Sequence, residues 1–185
     1  MTKIRESATT RPEEGSANGA TSCEELLVRT FNELRDELIS TLWFVLGNKD
    51  DAQDMAQEAF LKCWNARNQL HQVNNLRAWI FRVGFNTAKD LQRSAWNRRA
   101  KPLKGEEFMM VGNEPAPAET LEFKESVERL RKAIVGLRQE EKEVFLLRQN
   151  GDLTYEQIAE MRHCPVGTIK TQMRSALDKL RKFLA

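Results

Sequence analysis

The apolar residues Leu27, Phe31, Leu34, Leu38, Leu42 and Val45 recur every three or four positions, and no stretch of the chain alternates apolar with polar residues at period two. That spacing winds a single apolar stripe along a helix, whereas a half-buried strand needs the shorter period. The chain is therefore predicted to be all-α. Its first helix runs from about Ser22 to Gly47, a residue suited to the left-handed turn that closes helices. A second begins near Asn48, where Asp50 and Asp51 favour the positive helix end, and carries the stripe Ala52, Met55, Ala56, Ala59, Phe60, Cys63 and Trp64. After a polar loop from Arg67 to Asn75, a third helix reaches about Asn97 with Leu76, Trp79, Ile80, Val83, Thr87 and Leu91 on one side. Phe81 and Phe85 lie on the opposite side, which predicts burial from two directions.

Residues 101–120, KPLKGEEFMMVGNEPAPAET, contain three prolines, two glycines and no period, the composition of a flexible linker. Two small helical domains follow from this break, at 22–100 and 121–185. Residues 1–21 are small, polar and aperiodic, so they read as a disordered leader. In the second domain, Val127, Leu130, Ile134 and Leu137 mark one helix, and another spans 139–150 before Gly151. Thr154 with Gln157 forms a capping box for a short helix through Met161. Pro165 precedes the last helix, in which Ile169, Met173, Ala176, Leu177, Leu180 and Leu184 share a face.

The chain has 29 Lys and Arg against 27 Asp and Glu, so any nucleic-acid footprint must lie in the distribution of charge. Residues 21–76 hold 5 basic and 9 acidic side chains, whereas 77–104 hold 8 basic and 1 acidic, and 161–185 hold 6 and 1. A basic patch thus ends each domain, as phosphate contact at two places requires. On the third helix Arg82, Asn86, Lys89 and Arg93 form one stripe that Trp96 continues. Cations that track phosphates beside an aromatic on which bases stack suit single-stranded DNA, and a solvated helix face is the alternative.

The short capped helix, the turn HCPVG and the last helix have the dimensions of a helix-turn-helix reader of the major groove, or of an ordinary helical hairpin. With Ile169, Met173, Leu177 and Leu180 inward, Thr171, Arg174 and Asp178 point out, with Lys170 and Arg181 at the margins. Asp54, Gln57, Glu58 and Leu61 lie on the outer face or border of the acidic second helix. DNA would repel this face, so it meets either a protein or only solvent.

Three segments resemble extracytoplasmic-function sigma factors of bacterial RNA polymerase, in the family's order. DDAQDMAQEAFLKCWNA at 50–66 is similar to the polymerase-binding helix of region 2, and LRAWIFRVGFNTAKDLQR at 76–93 to its DNA-melting helix. LTYEQIAEMRHCPVGTIKTQMRSALDKLRK at 153–182 is similar to the region 4 helix-turn-helix. The resemblance implies that Asp54, Gln57, Glu58 and Leu61 dock on the coiled coil of the largest polymerase subunit, with the flap as a second polymerase contact. It implies that Arg82, Asn86, Lys89, Arg93 and Trp96, with the loop before them, bind the minus-ten element and capture an unstacked base. Thr168, Lys170, Thr171, Arg174 and Arg181 would read the minus-thirty-five element as duplex, and an anti-sigma factor is a possible partner.

The chain departs from the pattern at Arg162 and His163, where leucine and glycine are usual, so His163 is expected to take a left-handed backbone conformation. Gln172 and Ser175 stand where relatives often carry arginine, and Arg174 stands where an apolar residue is common.

A helix-turn-helix regulator that replaces no sigma subunit is the alternative that residues 121–185 alone would permit; the first domain's acidic and basic helices argue against it. No Ser, His and Asp set and no Gly-rich phosphate loop suggests an enzyme, and no cofactor is expected. The cysteines Cys23, Cys63 and Cys164 are odd in number and far apart, which suits reduced thiols. With only His71 and His163 beside them, no metal site is expected. Neither a signal peptide nor an apolar run of roughly 18 residues is present, so the chain is expected in the cytoplasm, away from membranes.

Overall fold

The computed structural model describes residues 17–98 and 121–184, with side chains over 23–94 and 125–184. The predicted linker and most of the predicted leader lie outside the described residues. Helix α1 spans Ala17–Leu46, α2 Lys49–Asn65 and α3 Leu76–Arg98; α4 spans Leu121–Val135, α5 Gln139–Gln149, α6 Tyr155–Arg162 and α7 Val166–Leu184. No strand occurs among the described residues. Helix α1 starts at Ala17, inside the segment read as leader. Extending a nucleated helix costs little per residue, so it need not stop where its apolar stripe stops.

Gly47 closes α1 with φ +76, and its N–H reaches the Trp43 carbonyl at 2.8 Å. The next residue, Asn48, opens α2: its side-chain oxygen accepts from the N–H groups of Asp50 and Asp51 at 2.8 and 3.1 Å. The buried seam of α2 is built from Ala52, Ala56, Ala59 and Cys63, small side chains that let its neighbours approach. Phe31 of α1 meets Phe60 of α2 edge to face at 4.9 Å. Between α2 and α3, residues Arg67–Gln72 form a short 3-10 helix rather than the expected loop. Arg67 anchors it through Glu24 at 2.6 Å and over the Trp64 ring at 5.0 Å. Asn75 then caps α3 by accepting from the Ala78 N–H at 2.9 Å.

In the second bundle, Thr154 and Gln157 exchange the expected capping-box hydrogen bonds at the start of α6. His163 ends α6 at φ 51 and ψ 46, and Cys164 N–H bonds back to the Ala159 carbonyl at 3.1 Å. The left-handed position is thus held by histidine, at a cost of about 1 kcal/mol that the flanking hydrogen bonds offset. Asp152 takes the same conformation, at φ 54, in the α5–α6 turn.

The buried apolar residues of both bundles form one continuous cluster. Phe81 and Phe85 are fully buried, as expected for a helix covered on two sides. Trp79, expected in the core, is only half-buried, and Leu177 is 39% exposed although its spacing pointed inward. The deepest positions of α3 are instead Ala78, Ile80, Phe81, Gly84, Phe85, Thr87 and Ala88, because the second bundle packs on the side that carries Phe81.

Candidate nucleic-acid and protein interfaces

Helix α2 turns its small residues inward and leaves Asp54, Gln57, Glu58 and Leu61 exposed along its outer face. Leu61 is 53% exposed in the middle of this acidic row, and Glu58 lies 3.9 Å from Lys62 one turn later. A groove of about 480 Å³ runs beside it between α1 and α2, lined by Phe31, Arg35, Ile39, Gln57, Phe60 and Leu61. Charge around an apolar centre can fix a partner's register while the apolar part supplies affinity.

The stripe on α3 follows from positions 82, 86, 89 and 93 falling on one side of a helix. Arg82, Asn86 and Arg93 are exposed, and Arg93 lies 3.5 Å from Asp90 of the same helix. Lys89 is different. Its ammonium is bonded to Glu143 of α5, a carboxylate that is 1% exposed. Glu143 Oε1 also accepts from Gln139 Nε2 at 2.9 Å, and its Oε2 lies 3.8 Å from Arg162 Nη2. Arg82 in turn stands 4.0 Å from Glu160 of α6. Trp96 sits on the last turns of α3, but its side chain lies outside the described residues.

In the helix-turn-helix, Ile169, Met173, Ala176 and Leu180 are buried, which sends Thr168, Lys170, Thr171 and Arg174 outward as one exposed face. Thr171 Oγ1 donates to the Gly167 carbonyl at 2.9 Å, while exposed Arg181 lies 3.7 Å from Asp178. Gln172 and Ser175 are engaged inward: Gln172 accepts from Arg162 at 3.3 Å, and Ser175 donates to Glu141 at 2.7 Å. Glu141 also receives Lys179 at 2.7 Å and the Arg138 N–H at 3.0 Å. Burial pushes its carboxyl up, but these hydrogen bonds and the Lys179 charge together outweigh burial and hold it below the usual carboxylate range.

Sequence reasoning missed Glu143 and Asn150 as junction residues, because each looks like a solvated polar group until the opposite bundle is placed. Glu143 does precede Leu146 and Leu147 at the three- and four-residue spacing of an inward face, the one available hint. Among the described residues, no group of three or more His, Cys, Asp or Glu side chains is placed to hold a metal ion. No helix among them is long and apolar enough to cross a membrane.

Comparison with known families matches residues 30–98 to Sigma-70 region 2 and residues 127–180 to Sigma-70 region 4. The ECF RNA polymerase sigma factor EcfG of Rhodopseudomonas palustris is 30% identical over 141 residues, spanning 75% of this chain and 74% of that protein. The ECF RNA polymerase sigma-E factor of Escherichia coli is 28% identical over 138 residues, 69% of this chain and 72% of that one. Among solved structures, the sigma factor RpoE of Bartonella quintana, in complex with the anti-sigma factor NepR, superposes with a TM-score of 0.64. It shares 22% identity, over 84% of this chain and 94% of that one. CnrH in complex with the cytosolic domain of CnrY gives 0.55 at 18% identity, over 91% and 93% of the two chains. Both share the fold.

Proposed function

The chain belongs to the Sigma-70 family as an RNA polymerase sigma factor of the extracytoplasmic-function type, directing core polymerase to promoters, and from this we propose which surface makes each contact. Residues 22–100 act as region 2 and 121–185 as region 4, with 101–120 as the linker between them. The α2 face of Asp54, Gln57, Glu58 and Leu61 docks on the coiled coil of the largest polymerase subunit. The observation that carries this assignment is the exposure of the whole row around Leu61 while the opposite side of α2 is sealed in the core.

The α3 stripe of Arg82, Asn86, Lys89 and Arg93, continued in sequence by Trp96, holds the melted minus-ten strand. Thr168, Lys170, Thr171, Arg174 and Arg181 meet the minus-thirty-five duplex through the exposed face of α7, where an α-helix of this kind enters a major groove. The polymerase flap meets region 4. The chain performs no chemistry: its effect is to position polymerase and trap an unpaired strand. It works in the cytoplasm with the polymerase. An anti-sigma protein is a further partner by analogy with the RpoE–NepR complex. Purified core polymerase with this chain and a promoter template tests the assignment: charge reversal at Asp54 and Glu58 abolishes run-off transcript if the α2 face is the dock, and leaves it intact if that face is only solvated.

A further inference from the structure

Helix α7 meets its own bundle along two seams. Ile169, Met173, Ala176 and Leu180 form the apolar one. Gln172, Ser175 and Lys179 follow at the three- and four-residue spacing of a second row and form a polar one against α5 and α6. Arg162, the last residue of α6, ties the start of this row: its Nη1 donates to the Gln172 side-chain oxygen at 3.3 Å and to the Glu140 carbonyl of α5 at 3.0 Å. Glu141, in the first turn of α5, ties the rest. Its Oε1 accepts from Ser175 Oγ at 2.7 Å and from Lys179 Nζ at 2.8 Å, and its Oε2 accepts from Lys179 Nζ at 2.7 Å. The Arg138 N–H, at 3.0 Å, fixes the carboxylate from the side of its own helix.

The two seams constrain different motions. Apolar burial is non-directional, so the first resists separation of α7 but tolerates a small rotation about its axis. Hydrogen bonds weaken steeply away from alignment, and those to a carboxylate are the stronger kind, so the second fixes the roll of the helix. Glu141 suits this task because it is buried, with its side chain 6% exposed, and is held on three sides. The roll decides what faces outward: Lys170, Thr171 and Arg174 are exposed, whereas Gln172 and Ser175 are turned towards α5 and α6. A side-chain atom about 6 Å from the helix axis moves by about 2 Å for a roll of about 20°. A shift of that size breaks a bidentate contact to a base.

We propose that Glu141 is a positioning residue for promoter recognition: by holding Ser175 and Lys179 it sets the roll of α7, which presents Arg174 to base edges and withholds position 175 from the groove. This rests on the assignment of α7 to the minus-thirty-five duplex. Lys179 is withheld as well, because the two oxygens of Glu141 satisfy its ammonium. Glu141 thus also removes one cation from those that α7 offers to phosphates, a contact that carries no sequence information.

The test uses the full chain bound to core polymerase and a set of duplex promoters, each differing from a regulon promoter at one base pair of the minus-thirty-five element. Competition binding below the temperature of strand opening gives the ratio of affinities for cognate and substituted duplexes. A variant that merely unfolds in part loses the same factor on every duplex, because fewer molecules are competent and the rest are unchanged. Glu141→Gln keeps the side-chain volume and should change the ratio by at least about fivefold at one base pair or more, as a misaligned base contact does. Ser175→Ala/Lys179→Met leaves Glu141 in place and should change the same ratios in the same direction. Combining all three substitutions should add less than about twofold, because one seam carries both effects. A uniform change overturns the proposal in either direction: a uniform loss is a smaller folded fraction, and a uniform gain is Lys179 freed onto a phosphate. Unchanged affinities overturn it too. If Glu141→Gln does not fold, the Ser175→Ala/Lys179→Met chain decides by the same ratios. The duplex assignment fails separately, if the native chain assembles with polymerase yet binds every duplex of the set alike.

Discussion

Gly151 lies against Phe81 so closely that a Cβ on it would stand 3.1 Å from the Phe81 Cβ, 2.7 Å from the Leu147 carbonyl oxygen and 2.6 Å from Leu153 Cδ1. The turn after α5 therefore has no room for a side chain at residue 151, chiefly against its own Leu147 carbonyl and Leu153 and also against Phe81 of α3. Gly151→Ala overpacks this turn, at a cost of about 1 to 3 kcal/mol. Urea unfolding should show a lower midpoint for the variant, whereas an unchanged midpoint would mean that the turn relaxes freely around the added methyl.

Cys63 is fully buried in the alanine seam of α2, and burial pushes its thiol up to about 12. The thiolate is the reactive form, so at neutral pH Cys63 should not react with an aromatic disulfide reagent until the chain unfolds. Cys23 and Cys164 are only partly covered and should react in the native protein. The predicted count is two fast thiols natively and three in denaturant; three fast native thiols would place Cys63 outside the core. Because the folded pKa is raised, its stabilising contribution is complete below the ordinary thiol value of 9.0 and is lost as pH rises through about 12.

Glu141 ties α5 to α7 through Ser175 and Lys179. Its folded pKa is depressed below 4.5, so its contribution is present above that value and is lost as pH falls through the folded one. Glu141→Gln should cost about 1 to 3 kcal/mol near pH 7, where it weakens several charge-assisted hydrogen bonds, and the difference from the native chain should shrink below pH 4. Thermal unfolding of both chains across pH 3 to 7 measures this, and a pH-independent gap would show that the charge is irrelevant.

Much of this fold was legible in the sequence. Leu27 to Val45 in α1 and Ala52 to Cys63 in α2 carry their burial in their spacing, and Gly47, Asn48, Thr154 and Gln157 mark helix ends through local chemistry that needs no tertiary partner. The α3 periodicity was clear, but its depth was not: Trp79 ranked as core by its place in the apolar stripe, while Ala78 and Gly84 are buried because other helices cross there. Of the interface residues, the α2 row and the α7 face could be placed from helix phase alone. The engagement of Lys89 by Glu143 could not, since it depends on two bundles meeting across 54 positions of sequence. Likewise Gln172 and Ser175 read as departures on a DNA-facing helix, yet Arg162 and Glu141 hold them against their own bundle.

The proposed duplex face of α7 calls for two kinds of DNA contact. Arg174 and Lys170 are both exposed, with Lys170 nearer the start of the helix; under the proposed assignment Arg174 reads base edges and Lys170 holds a phosphate. Arg174→Ala should cost about 1 to 3 kcal/mol on the cognate minus-thirty-five duplex and much less on altered sequences. Lys170→Ala should weaken every duplex alike and lower the salt slope by about one. A panel of duplexes at several salt concentrations decides between the roles, and a uniform loss for Arg174→Ala would make it a phosphate contact.

Run-off transcription by purified core polymerase on a promoter from the regulon, with this chain as the sole added factor, shows whether the chain acts as the sigma subunit. The native chain should give a discrete promoter-dependent transcript, and Asp54→Lys/Glu58→Lys none. Arg82→Ala/Lys89→Ala/Arg93→Ala should transcribe poorly from duplex and be partly rescued on a pre-melted template, because that stripe captures the open strand. A native chain that yields transcript only when another sigma factor is supplied would be an accessory regulator and not a sigma subunit.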